Sequence, residues 1–168
     1  MTPTTESVQD YYGKILNTNS DLKTNACCTT ESIPDTQKKI LAQIEDEVME
    51  KYYGCGMPIP PLLDGLTILD LGSGSGRDAY LLSKLVGESG HVIGVDMTDE
   101  QLAVARKYQD SQAKKFGFSK PNTTFTKGYI ENLAAAGIAD NSVDLVVSNC
   151  VINLSPDKER VFKEIFRV

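Results

Sequence analysis

From Thr67 onward the chain alternates short apolar runs with longer stretches in which apolar residues return every three or four positions. The apolar runs predict strands at 67–71, at 91–96, near 123–127 and at Ser142-Val143-Asp144-Leu145-Val146-Val147-Ser148. The periodicity between them predicts helices over 76–86 and 99–116 and a short one near 130–136. A last helix is predicted after Ser155-Pro156-Asp157, with Ser155 at the N-cap and Pro156 at the first helical position. Repeated strand–helix units with apolar strands predict a parallel sheet covered on both faces. Ligands of such sheets lie at the carboxyl ends of the strands. Gly72 to Gly76, Asp96, Glu131 and Asn149-Cys150 all fall at those ends, so one crevice collects them.

Residues 1–64 have a different character. Val8 to Leu16 predicts a short helix containing Tyr11 and Tyr12, and a polar loop from Asn17 to Asp35 holds Cys27 and Cys28. Thr36 to Tyr53 carries Ile40, Leu41, Ile44, Val48 and Met49 close to helical spacing. Gly54, Gly56, Pro58, Pro60 and Pro61 then end any helix and stiffen a turn around Cys55. The expectation is an extension over 1–64 that lids a site, followed by an α/β domain over 65–168. The chain stops in a helix, Phe162 to Val168, that would ordinarily lead to a fifth strand. Without a neighbour the apolar fourth strand presents a sticky edge, which suggests a truncated domain.

Composition narrows the function classes. At 168 residues, 40% hydrophobic, the chain can bury one domain-sized core. A net charge of −6 with no Lys/Arg-rich run argues against nucleic acid as the main partner. No apolar run approaches membrane-spanning length and the polar start lacks a signal-peptide core, so the expected location is the cytoplasm.

The glycines carry the chemistry. Ile68-Leu69-Asp70-Leu71-Gly72-Ser73-Gly74-Ser75-Gly76-Arg77-Asp78 runs a strand through a turn with glycine at alternate positions into a helix. Removing side chains there lets backbone approach a nucleotide-like ligand at the helix N-terminus. Val92-Ile93-Gly94-Val95-Asp96 ends in a carboxylate about 20 residues further on, where an acid holds ribose hydroxyls. Dinucleotide enzymes read G-x-G-x-x-G, but Arg77 stands where their third glycine would be. The pattern D-x-G-x-G-x-G resembles that of class I methyltransferases using S-adenosylmethionine. That resemblance implies a Rossmann-like, doubly wound, mostly parallel α/β sheet, here cut off after the fourth-strand region and preceded by an N-terminal helical extension.

Four cysteines stand at Cys27, Cys28, Cys55 and Cys150, none in a C-x-x-C pair, and His91 is the only histidine. A structural zinc site and a disulfide framework are both poorly supported. Cys150 reads either as a small buried hydrophobe at a strand end or as a thiolate in the crevice. Glu131 reads as a helix-dipole partner or a ligand contact, and Asp70 as a cap for the turn or a ligand contact.

Val8-Gln9-Asp10-Tyr11-Tyr12-Gly13-Lys14, Asp21 to Cys27, Tyr52-Tyr53-Gly54-Cys55-Gly56, Gly128-Tyr129-Ile130-Glu131 and Val147-Ser148-Asn149-Cys150-Val151-Ile152-Asn153-Leu154 together resemble the arsenite methyltransferases. The resemblance implies that Tyr53, Gly72, Ser73, Gly74, Asp96, Met97, Gln101, Ile130, Glu131 and Asn149 surround S-adenosylmethionine. It implies that Cys55 and Cys150 ligate trivalent arsenic, a soft centre suited to thiolates. It further implies that Cys27, or Cys28 after a one-residue slip, forms a disulfide with Cys55 during turnover. Thioredoxin or glutathione would then reset the thiols, and the outcome would be arsenic detoxification. A further arsenic-binding cysteine of the family lies downstream of the position matching Cys150, beyond Val168. The alternatives are a methyltransferase of another small molecule and a non-catalytic arsenite- or thiol-binding fragment. A nicotinamide enzyme is the weakest option.

Overall fold

The computed structural model describes residues 4–16, 33–56 and 59–168, so Cys27 and Cys28 lie outside the described residues. The N-terminal part contributes α1 (Thr5–Asp10), a π-helical turn (Tyr11–Ile15), α2 (Asp35–Leu41) and α3 (Asp46–Glu50). Then come β1 (Thr67–Leu71), α4 (Arg77–Val86), β2 (His91–Asp96), α5 (Asp99–Lys107), α6 (Gln109–Phe116), β3 (Thr123–Lys127), β4 (Leu145–Ser148) and α7 (Lys158–Arg167). The four strands form one parallel sheet in the order β3-β2-β1-β4. Among the described residues no helix is long and apolar enough to cross a membrane.

The pleat divides the apolar side chains between two cores, as a sheet covered on both faces requires. Ile68 and Val92 join Tyr80, Leu82, Leu102 and Phe125 on one face. Leu41, Ile44 and Val48 from the N-terminal part belong to that same core. Leu69, Leu71 and Val95 meet Leu133, Val161 and Val168 on the other.

Strands 67–71 and 91–96 coincide with prediction, and the departures elsewhere are caused by polar anchors that periodicity does not register. The helix read over Thr36–Tyr53 is two short helices. The fully buried Gln112 reaches between them, its Nε2 donating to Gln43 O at 3.1 Å and its Oε1 accepting from Glu45 N at 3.3 Å. The helix read over 99–116 breaks at Tyr108, whose hydroxyl donates to Glu47 of α3. Residues 130–136 are a run of turns, because Ala134 N donates to the Glu164 carboxylate of α7 at 3.1 Å rather than along a helix. The fourth strand begins at Leu145, since Ser142 N and Val143 N donate to Val168 O, not to β1. The last helix starts later than the Ser-Pro signal implies. Asp157 is its N-cap, accepting from Arg160 N at 3.0 Å, and Ser155 instead accepts from Asp157 N.

Candidate active site

Gly72, Gly74 and Gly76 all sit at positive φ, 73°, 53° and 91°. Backbone of that handedness lets Gly72 N and Ser73 N both donate to Val95 O, at 2.7 and 3.1 Å, tying the turn to the end of β2. Space matters as much as conformation. A Cβ on Gly72 would run into the Val151 side chain, and one on Gly94 would lie 2.7 Å from Ser73 Oγ and from the Phe125 ring. Gly94 is thus where the turn leans on the sheet.

Asp96 closes the turn from the neighbouring strand. Its Oδ2 accepts from Gly74 N at 2.9 Å and its Oδ1 from Thr98 N at 2.8 Å. Burial raises its pKa while those backbone N–H groups oppose the rise. Asp70, in the middle of β1 between Gly94 and Val147, is held well above the usual carboxylate range by burial and by the charges of Asp78 and Asp96. It is 3% exposed and its Oδ2 meets no partner among the described residues. The capping role open to Asp70 from sequence therefore does not account for that oxygen.

Asp70, Asp78 and Asp96 converge on one cavity that Ser73, Met97, Gln101, Ile130 and Glu131 also line. The buried Ser73 Oγ and Gln101 Oε1 likewise lack hydrogen-bond partners among the described residues. Buried polar atoms left unpaired are costly unless a ligand satisfies them. A stripped glycine turn, a carboxylate at the end of β2 and orphaned polar atoms between them fit an adenosyl ligand bearing a positive charge. Glu131 does not start a helix, so its dipole reading fails. Its carboxylate accepts from Ser155 Oγ instead.

The N-terminal part forms one wall of this cavity. Gln9 Nε2 donates to Met97 O at 2.8 Å and Gln101 Nε2 donates to Tyr12 O at 3.3 Å. Tyr12 and Tyr53 line the cavity with ring centroids 5.8 Å apart.

The thiols meet at its other end. Cys150 is exposed, which removes the reading of a buried hydrophobe, and it sits at φ 60°, unusual for a residue with a Cβ. Its Sγ lies 3.9 Å from Cys55 O. The Cys55 loop withdraws water from one side of the thiol, and this, with a hydrogen bond to the Cys55 thiol, pushes its pKa up to about 11. Asn149 Oδ1 accepts from Cys55 N at 3.1 Å. Its Nδ2 donates to Tyr52 OH at 2.6 Å and to Asp78 Oδ2 at 2.9 Å. The Arg77 guanidinium stacks 3.8 Å over the Tyr52 ring and its Nε lies 3.6 Å from Asp78 Oδ1. Gly54 is needed because a Cβ there would overlap that same ring.

Of the site residues singled out from sequence, Tyr53, Gly72, Ser73, Asp96, Met97, Gln101, Ile130, Glu131, Asn149 and Cys150 line this cavity, Gly74 is bonded to Asp96 and Cys55 lies beside Cys150, while Cys27 and Cys28 lie outside the described residues. Sequence reading gave no role to Tyr52, Arg77 and Asp78. The signal for them lay in the same motifs, Tyr52 beside Tyr53 and Arg77-Asp78 directly after the last glycine.

Residues 62–168 match the family model described as a methyltransferase domain. Over 97% of its length the chain is 58% identical to an arsenite methyltransferase of Aquipseudomonas alcaligenes and 54% identical to the Homo sapiens arsenite methyltransferase. It covers 46% and 44% of those proteins, so it spans less than half the length of these curated relatives. An arsenic(III) S-adenosylmethionine methyltransferase from Chlamydomonas reinhardtii superposes with a TM-score of 0.80 at 56% identity, over 82% of this chain and 46% of that one. The chain belongs to the methyltransferase-domain family and is similar, nearly end to end, to part of the arsenite methyltransferases.

Proposed function

We propose that this chain is the cofactor-binding and thiol-bearing part of an S-adenosylmethionine-dependent arsenite methyltransferase. One observation carries the reading: Cys55 and Cys150, 95 positions apart, meet at the end of β4 beside the glycine turn. S-adenosylmethionine supplies an electrophilic methyl group on a sulfonium.

Asp96 would hold the ribose and Gly72 to Gly74 would let the ligand lie against backbone. Met97 and Ile130 would pack on the adenine, and the Asp70 carboxylate would face the ligand's positive end. Cys55 and Cys150 would each condense with arsenous acid, forming a sulfur–arsenic bond and releasing one water per thiol. Both thiol and arsenous acid are neutral, so the elevated thiol pKa does not oppose the exchange. Sulfur ligation leaves the lone pair on arsenic and fixes its direction, so the chain's main contribution is to position two reactants. No general base is required, because the attacking atom carries no proton. Methyl transfer takes two electrons from arsenic. Oxidation of the Cys27 and Cys55 thiols to a disulfide would return them, and a cellular thiol such as thioredoxin or glutathione would reduce that disulfide. That cycle suits the reducing cytoplasm.

Native mass spectra of the reduced chain with S-adenosylmethionine and arsenite, separately and together, test the reading. The expected result is a cofactor adduct and an arsenic adduct lacking the waters of condensation. Cofactor without arsenic would mean either that the family's downstream cysteine is essential for capture or that the substrate is another small molecule.

A further inference from the structure

The Asn149 amide is symmetric in shape but not in chemistry. Its oxygen meets the Cys55 N–H, and its Nδ2 protons meet Tyr52 OH, Asp78 Oδ2 and, at 3.4 Å, Gly56 O. Turned over, it would set donor against donor at Cys55 and acceptor against carboxylate at Asp78. Asp78 is the charged part of the bar to this, since a carboxylate only accepts, and Cys55 N–H and Gly56 O are its neutral parts. The side chain is 9% exposed, lies in the first turn of α4, and stands beside Arg77, which favours the charged form. Burial acts the other way and raises its pKa.

We infer that Asp78 is the positioning residue of the thiol pair: its carboxylate orients Asn149, and Asn149 pins the Cys55 backbone beside Cys150. Asp78 touches neither sulfur. The lock ties the loop bearing one thiol to the start of α4 and the end of β4, so the glycine turn and both cysteines share one rigid frame. The inference rests on the function proposed above for its purpose, but not for its test.

The test reads thiol proximity without arsenic. In the full chain carrying C27S and C28S, a diazene oxidant takes two electrons and two protons from Cys55 and Cys150. It is reduced to the hydrazine as the disulfide forms. The rate is followed by mass spectrometry, with folding checked by circular dichroism. D78A should slow the reaction about tenfold, in keeping with loss of a charge-assisted hydrogen bond. N149D, which sets two carboxylates face to face, should slow it at least as much. In D78N/N149D the donor and acceptor change places while an oxygen still faces Cys55 N–H, and the rate should return to within about threefold of the parent. A merely space-filling role predicts no such rescue. Equal rates for D78A and the parent, or a double variant no faster than N149D, would overturn the inference. Arsenite uptake by the same proteins separates the two readings. If the parent takes up none while the disulfide rates behave as stated, capture by this thiol pair alone fails and the positioning role stands.

Discussion

The cofactor end and the thiol end of the cavity are built by different means. At the cofactor end, β1, the glycine turn and β2 lie within 30 residues, and the contacts are backbone to backbone: Gly72 N and Ser73 N to Val95 O. Asp96 adds a carboxylate that grips backbone N–H groups on both sides. At the thiol end the two cysteines come from segments 95 positions apart, and side chains join them: Asn149, Tyr52, Asp78 and Arg77. Backbone geometry tolerates changes in neighbouring side chains. A side-chain lock does not, so the second end should fail by single substitutions that leave the first intact.

The largest such separation is expected from Cys150→Ser in a full-length protein containing this sequence. Oxygen in place of sulfur forms a far weaker bond to arsenic, so methylation should fall below detection while S-adenosylmethionine affinity stays within about threefold. Turnover unchanged in that variant would remove Cys150 from the mechanism.

The reverse experiment is Gly72→Ala. Alanine at φ 73° is strained, and its Cβ meets Val151, so stability should fall by about 2–4 kcal/mol. Cofactor affinity, read by calorimetry, should drop more than about tenfold, since the turn must move to relieve the clash. Loss of stability with undiminished affinity would show that the ligand does not lie against this turn.

The same contrast explains what could be read from the sequence. The cofactor end is local, and its signals survive in one dimension: glycines at 72, 74 and 76, an acid at 96, and apolar strands whose limits at 67–71 and 91–96 were legible to the residue. The thiol end became legible only through resemblance of whole motifs, because nothing in local spacing says that Cys55 will meet Cys150. Asp78 was invisible for a related reason. An acid in the first turn of a helix reads as an ordinary dipole partner, and its bond to Asn149 spans 71 positions. The misplaced helix limits have one cause in common. Gln112, Glu47 and Glu164 each reach from another element to capture backbone or hydroxyl groups, and periodicity carries no trace of such long-range bonds.

A pH experiment sharpens the description of the thiol end. With its pKa near 11, Cys150 stays protonated through neutral pH, and its thiolate fraction grows tenfold per unit well beyond the ordinary thiol range. In a chain carrying C27S, C28S and C55S the Cys55 thiol no longer hydrogen-bonds, leaving burial by the loop as the main cause of the rise. Iodoacetamide should then label Cys150 with a rate that climbs about tenfold per unit from pH 7 to 10 without levelling. A rate that levels off by about pH 10 would mean that the loop does not shield the sulfur.

The smallest effect is expected where the N-terminal part meets the cofactor end. Gln9 Nε2 reaches Met97 O across 88 positions, and this bond, with that from Gln101 to Tyr12 O, clasps α1 and the π-helical turn over the cavity. Here the cofactor end borrows the construction of the thiol end, a side-chain tie between distant segments. Gln9→Ala removes a half-buried hydrogen bond worth about 0.5–1.5 kcal/mol and leaves Met97 O free to take water. The wall formed by Thr5, Val8 and Tyr12 should open more often, so cofactor affinity should fall about two- to tenfold through faster dissociation. Stopped-flow displacement of S-adenosylmethionine would report this directly. An unchanged dissociation rate would show that the aromatic contact between Tyr12 and Tyr53 holds the wall without the Gln9 tie.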